Sequence, residues 1–190
     1  MINISKGLDL PISGKPDLNI ADTPNVSSVS LLSNDFIGMK PTMLVREGDE
    51  VKVGTKLFED KKNEDIFFTS PAGGEIKSIN RGDKRKFLSV EIEISQNEQF
   101  IEYEFKDSID STKNNLISSG LWNAFRTRPF NRTPAINDKP NAIFINCCDT
   151  NPLSADPLNI INFDKDYFDD GLKLITKLFD CNIHLCYQSD

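Results

Sequence analysis

Two runs, Met43-Leu-Val-Arg-Glu-Gly-Asp-Glu-Val-Lys-Val-Gly54 and Phe68-Thr-Ser-Pro-Ala-Gly-Gly-Glu-Ile76, limit what this chain can fold into more than any other feature. Val45, Val51 and Val53 stand at odd spacing, so an extended backbone turns all three to one side, and Gly48-Asp49 supplies a tight turn between two short strands. Leu57 continues that face after Gly54. The second run repeats the grammar: Ser70-Pro71 enters a turn, Gly73-Gly74 suits positive φ, and Ile76 and Ile79 resume an apolar strand. Two half-motifs of one kind predict a small pseudo-twofold β barrel.

This arrangement resembles the biotinyl/lipoyl-type barrel-sandwich hybrid, in which a Val-x-x-Gly-Asp-x-Val-x-x-Gly half and a Ser/Ala-Pro-x-x-Gly half flank a central hairpin. In carrier domains of that type a lysine at the hairpin tip receives the cofactor. Here the tip reads Phe58-Glu-Asp-Lys-Lys-Asn-Glu-Asp65, close to the Asp-Lys-Ala of lipoyl carriers and lacking the Met-Lys-Met of biotin carriers. A carrier with Lys61 or Lys62 modified is therefore the alternative reading. A solvated hairpin needs the same polar residues, and the expectation is that neither lysine carries a lipoyl or biotinyl group.

With 190 residues, 38% hydrophobic and 27% charged, the chain has enough apolar material for a core and does not have a disordered composition. A net charge of −7 argues against a general nucleic-acid role, because phosphate binding needs a concentrated basic surface. No apolar run reaches membrane-spanning length, and Asp9 stands where a signal peptide would need an apolar core, so a cytoplasmic location is expected. Cys147, Cys148, Cys181 and Cys186 all fall in the last quarter, unlike the distributed framework of secreted disulfide proteins.

Met1-Ile-Asn-Ile4 alternates like a strand before Gly7, Pro11, Gly14 and Pro16 break the chain into coil. Val26, Val29, Leu31 and Leu32 lead into a turn at Gly38 and Pro41. Asn80-Arg-Gly-Asp-Lys-Arg-Lys86 reads as a basic turn, followed by a half-buried strand with Val90, Ile92 and Ile94 on one face and Glu91 and Glu93 on the other. Ile101, Tyr103 and Phe105 predict one more strand.

At Asp107 the period changes. Residues 108–111 offer N-cap side chains, Leu116 and Ile117 share a helical stripe, and Gly120 suits a C-cap. Ala142-Ile-Phe-Ile-Asn-Cys-Cys148 has the length of a buried parallel strand. Tyr167, Phe168, Leu172, Ile175, Leu178 and Phe179 form a helical face despite Gly171, and Asn182-Ile-His-Leu-Cys-Tyr187 closes a β-α-β unit. The fold class expected is α+β in two domains: a barrel-sandwich hybrid over residues 1–105 and an incomplete, truncated Rossmann-like α/β domain over 106–190. Truncation is expected because two parallel strands make no stable sheet alone.

Ile4-Ser-Lys-Gly-Leu-Asp-Leu-Pro-Ile12, Phe58-Glu-Asp-Lys-Lys-Asn63, Ile79-Asn-Arg-Gly82, Ser119-Gly-Leu-Trp-Asn-Ala-Phe-Arg-Thr-Arg-Pro-Phe130 and Asp149-Thr-Asn-Pro-Leu-Ser-Ala-Asp-Pro157 resemble the A subunit of the sodium-translocating NADH:quinone reductase. The resemblance implies a peripheral subunit on the cytoplasmic face of a bacterial inner membrane. It implies part of a translocase that moves electrons from NADH to ubiquinone and exports Na⁺, with no catalysis by this chain alone. It further implies that NADH, flavins and an iron-sulfur cluster sit on other subunits, which also mediate membrane association. The family is distantly similar to the NADH-binding flavoprotein of respiratory complex I and to the Rnf C subunit, whose glycine-rich flavin loop corresponds to residues 120–130 here. Trp122, Asn123, Phe125 and Arg126 stand in place of those glycines, and Asn146-Cys-Cys-Asp-Thr-Asn-Pro152 echoes a second flavin-side loop with altered chemistry, implying a flavin-type scaffold without its flavin.

Other chemistry is thin. Cys181, His184 and Cys186 are close in sequence, but no second cluster completes a zinc site, and neighbouring Cys147 and Cys148 point to opposite faces of a strand. One histidine in the chain gives little support to a Ser-His-Asp device. No catalytic, cofactor-binding or metal residue is therefore assigned. Phe36, Ile37 and Met39 with Trp122, Phe125, Arg126 and Arg128 are the candidate quinone or partner surface, since both segments join apolar groups to turns and Arg can donate to a carbonyl; helix-end packing with solvated arginines is the competing reading.

Overall fold

A computed structural model of the chain describes residues 11–17, 19, 24–149 and 151–187, and the strand expected at Met1-Ile-Asn-Ile4 lies outside them. The chain divides into two compact units, one formed by Pro24–Lys139 and the other containing Pro140 onward with N-terminal residues. Residues 106–139, expected to open the second domain, thus group with the barrel. Side-chain bonds show why: Thr69 Oγ1 donates to Ser119 O at 2.8 Å and Asn123 Nδ2 to Phe67 O at 2.7 Å, tying this segment to the barrel's central hairpin.

The barrel is built from β1 (Ser28–Leu32), β2 (Pro41–Met43), β3 (Glu50–Val51), β4 (Lys56–Asp60), β5 (Phe67–Thr69), β6 (Gly74–Arg81) and β7 (Phe87–Ile94). One sheet has the order β1-β7-β6-β3 and the other β2-β4-β5, all neighbours antiparallel. The two half-motifs are bonded to each other: Gly48 N donates to Ile76 O and Gly54 N to Ser70 O, both at 2.8 Å, with Ile76 N and Ser70 N returning bonds to Asp49 O and Thr55 O. Leu57, Phe58, Ile66, Phe68, Ile76, Val90 and Ile92 fill the space between the sheets, each at most 2% exposed. Burying one such side chain stabilises the fold by about 1.5–3 kcal/mol.

Gly48 and Gly54 hold left-handed backbone (φ 87° and 89°), whereas Gly73 and Gly74, read as suited to positive φ, do not adopt it. Their reason is close approach: a Cβ on Gly74 would run into the carbonyl of Glu93 on β7. Ile76 and Ile79 are three apart, which alternation would send to opposite faces. The register shift between Ile76 and Ser78 corrects this, setting them opposite Ile92 and Val90. Between β6 and β7, Lys84 and Arg85 both have positive φ (55° and 60°), which costs a residue with a Cβ roughly 1–2 kcal/mol and which two-residue hairpins usually give to Asn-Gly.

The strand expected from Ile101, Tyr103 and Phe105 does not form. The segment bonds through Ile101 N to Val53 O at 2.9 Å and has only an isolated bridge at Phe100; Ile101 and Tyr103 lie against Gly54, while Phe105 is 65% exposed. Tyr103 Oη donates to Ser118 O at 3.3 Å, and partial burial raises its phenol above the ordinary value. Helix α1 (Ile109–Ser118) starts where expected, with Ser108 Oγ accepting from Ser111 N, and ends before Gly120 (φ 78°).

In the other unit, β8 (Ala142–Asn146) and β9 (Asn182–Cys186) pair in parallel, with α2 (Pro157–Phe163) and α3 (Lys165–Leu178) between them. Periodicity does not predict helix α2, yet Asp156 caps it and Pro157 occupies its first turn, a start signal short enough to read as loop. The run read as a buried strand is half-open: Phe144 is 54% exposed and stacks on His184 at 4.8 Å. Cys147 alone of the four thiols is buried, and that burial, then neighbouring Cys148 and Cys186, pushes it above the usual thiol range.

Gly74→Ala is expected to lower barrel stability by about 3 kcal/mol through the clash with β7, and Gly48→Ala, with open space around it, by about 1 kcal/mol. Urea unfolding of both variants checks this; equal losses would refute the close-approach account of Gly74.

Candidate functional site

The segment between β1 and β2 and the segment after α1 meet within the barrel unit. A single 3-10 turn, Ser33–Asp35, and the left-handed Gly38 (φ 82°) swing residues 33–40 out from the sheet. Phe36 turns inward and meets Phe68 edge-on at 4.5 Å. Arg126 closes over its other side: the guanidinium lies 5.5 Å from the Phe36 ring centre, Nη2 donates to Asp35 O at 3.3 Å and Nη1 to Thr133 Oγ1 at 3.0 Å. One cation therefore holds the first segment against the second.

Trp122 does not line this surface. It is 2% exposed, its Nε1 donates to Pro134 O at 3.0 Å, and Phe125 packs edge-on against it at 5.3 Å. The expectation of an exposed Trp122 is corrected by the chain itself, which folds residues 127–134 back through the Thr127 N to Arg132 O bond of 2.7 Å. Gly120 lies so close to β5 that a Cβ would stand 2.6 Å from Thr69 Oγ1. Residues 120–126 are thus committed to their own protein through Trp122, Asn123 and Arg126. Arg128 is exposed before the cis bond to Pro129 and is not among the residues lining the groove described next.

Phe36, Ile37 and Met39 line an open groove of about 620 Å³ together with Lys40, Arg81, Lys84, Arg85, Lys86 and Phe87. Ile37 is half exposed, whereas Phe87 is buried and carries the groove floor into the core through Phe58 at 5.1 Å. The groove thus has an apolar floor and a cationic wall. Sequence reasoning recognised residues 80–86 as a basic turn but had no signal that they face residues 33–40, more than forty positions earlier. The roles of Thr133 and Asn123 as polar supports were likewise missed.

At the hairpin tip, Phe58 to Asp60 belong to β4 rather than to the turn. Lys61 and Lys62 are exposed, with Lys61 N donating to Lys40 O at 2.8 Å and Lys62 Nζ to Gly38 O at 3.0 Å. The Lys62 ammonium is therefore docked on the β1–β2 segment. Among the described residues no three His, Cys, Asp or Glu side chains are grouped to hold a metal ion, and no helix is long and apolar enough to cross a membrane.

The family model of the NqrA N-terminal barrel-sandwich hybrid domain matches residues 2–95, and that of the NqrA second alpha/beta domain matches residues 108–190. The chain is 48% identical over 195 residues to the A subunit of the Na(+)-translocating NADH-quinone reductase of Yersinia pseudotuberculosis serotype O:1b (strain IP 31758). It is 48% identical over 198 residues to the protein of the same name from Glaesserella parasuis serovar 5 (strain SH0165). Each comparison covers 100% of this chain and 44% of the relative, so the chain spans less than half the length of these curated relatives.

Trp122 is the only tryptophan, and its burial predicts blue-shifted emission that iodide quenches several-fold less than in the urea-unfolded chain. Native and unfolded quenching constants of similar size would place the indole at the surface after all.

Proposed function

The chain belongs to the NqrA family, carrying its N-terminal barrel-sandwich hybrid domain and its second α/β domain, and on that premise we infer that it serves in a respiratory sodium pump that couples NADH oxidation and ubiquinone reduction to Na⁺ export. Its relatives' name states a Na⁺-translocating NADH-quinone reductase of which they are one subunit. The role assigned to this chain is peripheral, at the cytoplasmic face of the bacterial inner membrane, docking to other subunits and contributing to quinone binding without catalysis of its own. NADH, flavins and the iron-sulfur cluster belong to those other subunits in this reading.

The observation that carries the reading is Arg126 clamped over Phe36 and bonded to Asp35 O. It supports an apolar slot in which half-exposed Ile37 meets a ring beside Met39 while Arg126 holds Phe36 in place. A quinone needs such a slot with a few polar donors at its edge. The absence of flavin here is supported by Trp122, Asn123 and Arg126, whose packing and hydrogen bonds occupy the loop where glycines would let backbone N–H groups reach a phosphate. The carrier alternative is not favoured, since both family models that match describe NqrA domains.

In the assembled complex, Ile37→Ala combined with Arg126→Ala is expected to raise the KM for ubiquinone about tenfold, equivalent to ~1.4 kcal/mol of binding. NADH oxidation by the flavin subunit with an artificial acceptor should be unchanged. Unaltered quinone kinetics in a properly assembled variant would remove the slot from the mechanism, and stoichiometric FMN in the purified chain would refute the flavin-free assignment.

A further inference from the structure

We propose that the cationic wall of the groove, formed by Lys40, Arg81, Lys84, Arg85 and Lys86, is a contact site for the phosphate-bearing headgroups of an anionic bilayer. Charge segregation is the first ground. The chain carries 29 acidic residues against 22 Lys and Arg, yet among the described residues the groove lining contains five cations and no carboxylate. An acidic protein that gathers one sign of charge in one groove has a local field opposite to its net charge, and such a field draws anions.

The second ground is that no ion pair among the described residues uses these charges: the pairs join Lys77 to Glu91, Lys106 to Glu104 and Lys173 to Asp170. Arg81 Nη1 has only a long bond of 3.4 Å to Arg85 O. The hairpin itself does not account for its residues either. Lys84 and Arg85 both hold left-handed backbone, where Asn or Gly would be more stable, and all of residues 83–86 are exposed. Non-glycine residues kept in that conformation mark a place where the side chain is worth more than the turn.

A bilayer suits the surface better than an acidic peptide does. A docked peptide draws affinity from unpaired backbone groups, and several of those nearby are already used: Gly82 N with Lys86 O, Lys86 N with Asp83 O, Lys40 N with Asp60 Oδ1, and Lys40 O with Lys61 N. What remains outward is side-chain charge beside exposed apolar groups. Ile37, which lines the groove with the cations, is 50% exposed. Basic residues interleaved with apolar ones meet the headgroup region, where phosphates take the charge and the upper acyl chains take the apolar side chains. Such a contact would hold the groove's apolar floor at the depth from which a membrane-dissolved molecule arrives.

The test is co-sedimentation of the full chain with vesicles of phosphatidylcholine alone or mixed with phosphatidylglycerol, at low and high salt. Binding is expected only to the mixed vesicles, and it should fall steeply with salt. Arg81→Gln, Lys84→Gln and Arg85→Gln together should weaken it about a hundredfold, at roughly fivefold per basic residue removed. Lys165→Gln, Lys173→Gln and Lys177→Gln change the net charge equally on α3 and should leave it near the parent value. Equal losses in both triple variants would reduce the effect to net charge and overturn the site. So would failure to bind mixed vesicles, or capture by soluble polyglutamate without vesicle binding, which would reassign the wall to an acidic polypeptide. The vesicles contain no quinone, so this proposal and the quinone slot fail independently.

Discussion

Four phenylalanines in contact tie the barrel to its outer groove. Phe87 on β7 meets Phe58 on β4 at 5.1 Å, Phe58 stacks on Phe68 of β5 at 4.7 Å, and Phe68 meets Phe36 of the β1–β2 segment at 4.5 Å. The first contact bridges the two sheets and the last fixes a segment that has no ladder of its own. Each aromatic pair contributes about 0.5–1.5 kcal/mol beyond area burial, but geometry is the larger consequence. Phe87 and Phe36 stand at the two ends of this series and both line the groove, so the groove's shape follows from the packing of the core.

The remaining restraints on the groove are polar and cross long sequence intervals. Arg126 reaches Asp35, Lys62 reaches Gly38, and Asp60 accepts from Lys40 N, so the β1–β2 segment is held by bonds from two distant elements, the segment after α1 and the central hairpin. Such a segment can present apolar side chains to solvent without collapsing on them. The hairpin that resembles a carrier arm thereby has a structural use, because its Asp60 and Lys62 position the neighbouring segment rather than stand clear of it.

Much of the fold was legible because its signals are local. The Gly48 turn, the Phe87–Ile94 alternation, the Ser108 cap and the Gly120 stop each rest on a few neighbouring residues and on backbone preferences that tertiary structure did not override. The same local logic failed at Ile101, Tyr103 and Phe105, where alternation was present but no neighbouring strand offered a ladder, and at α2, whose seven residues, about two turns, left too little periodicity to read.

By itself the sequence determined the two bonded half-motifs, the change from β to α/β periodicity after residue 106, and the family, since these depend on residue order alone. Tertiary packing decided everything that depends on distant residues meeting. It buried Trp122, although an indole between turns reads equally well as surface. It required Gly74 to be glycine because of the Glu93 carbonyl, not because of its own φ, and it rescued the Ile76–Ile79 spacing with a bulge. It also brought the basic β6–β7 turn to the apolar β1–β2 segment. Period and turn chemistry encode which way a side chain faces, whereas the atom it faces is set only when the sheets close on one another.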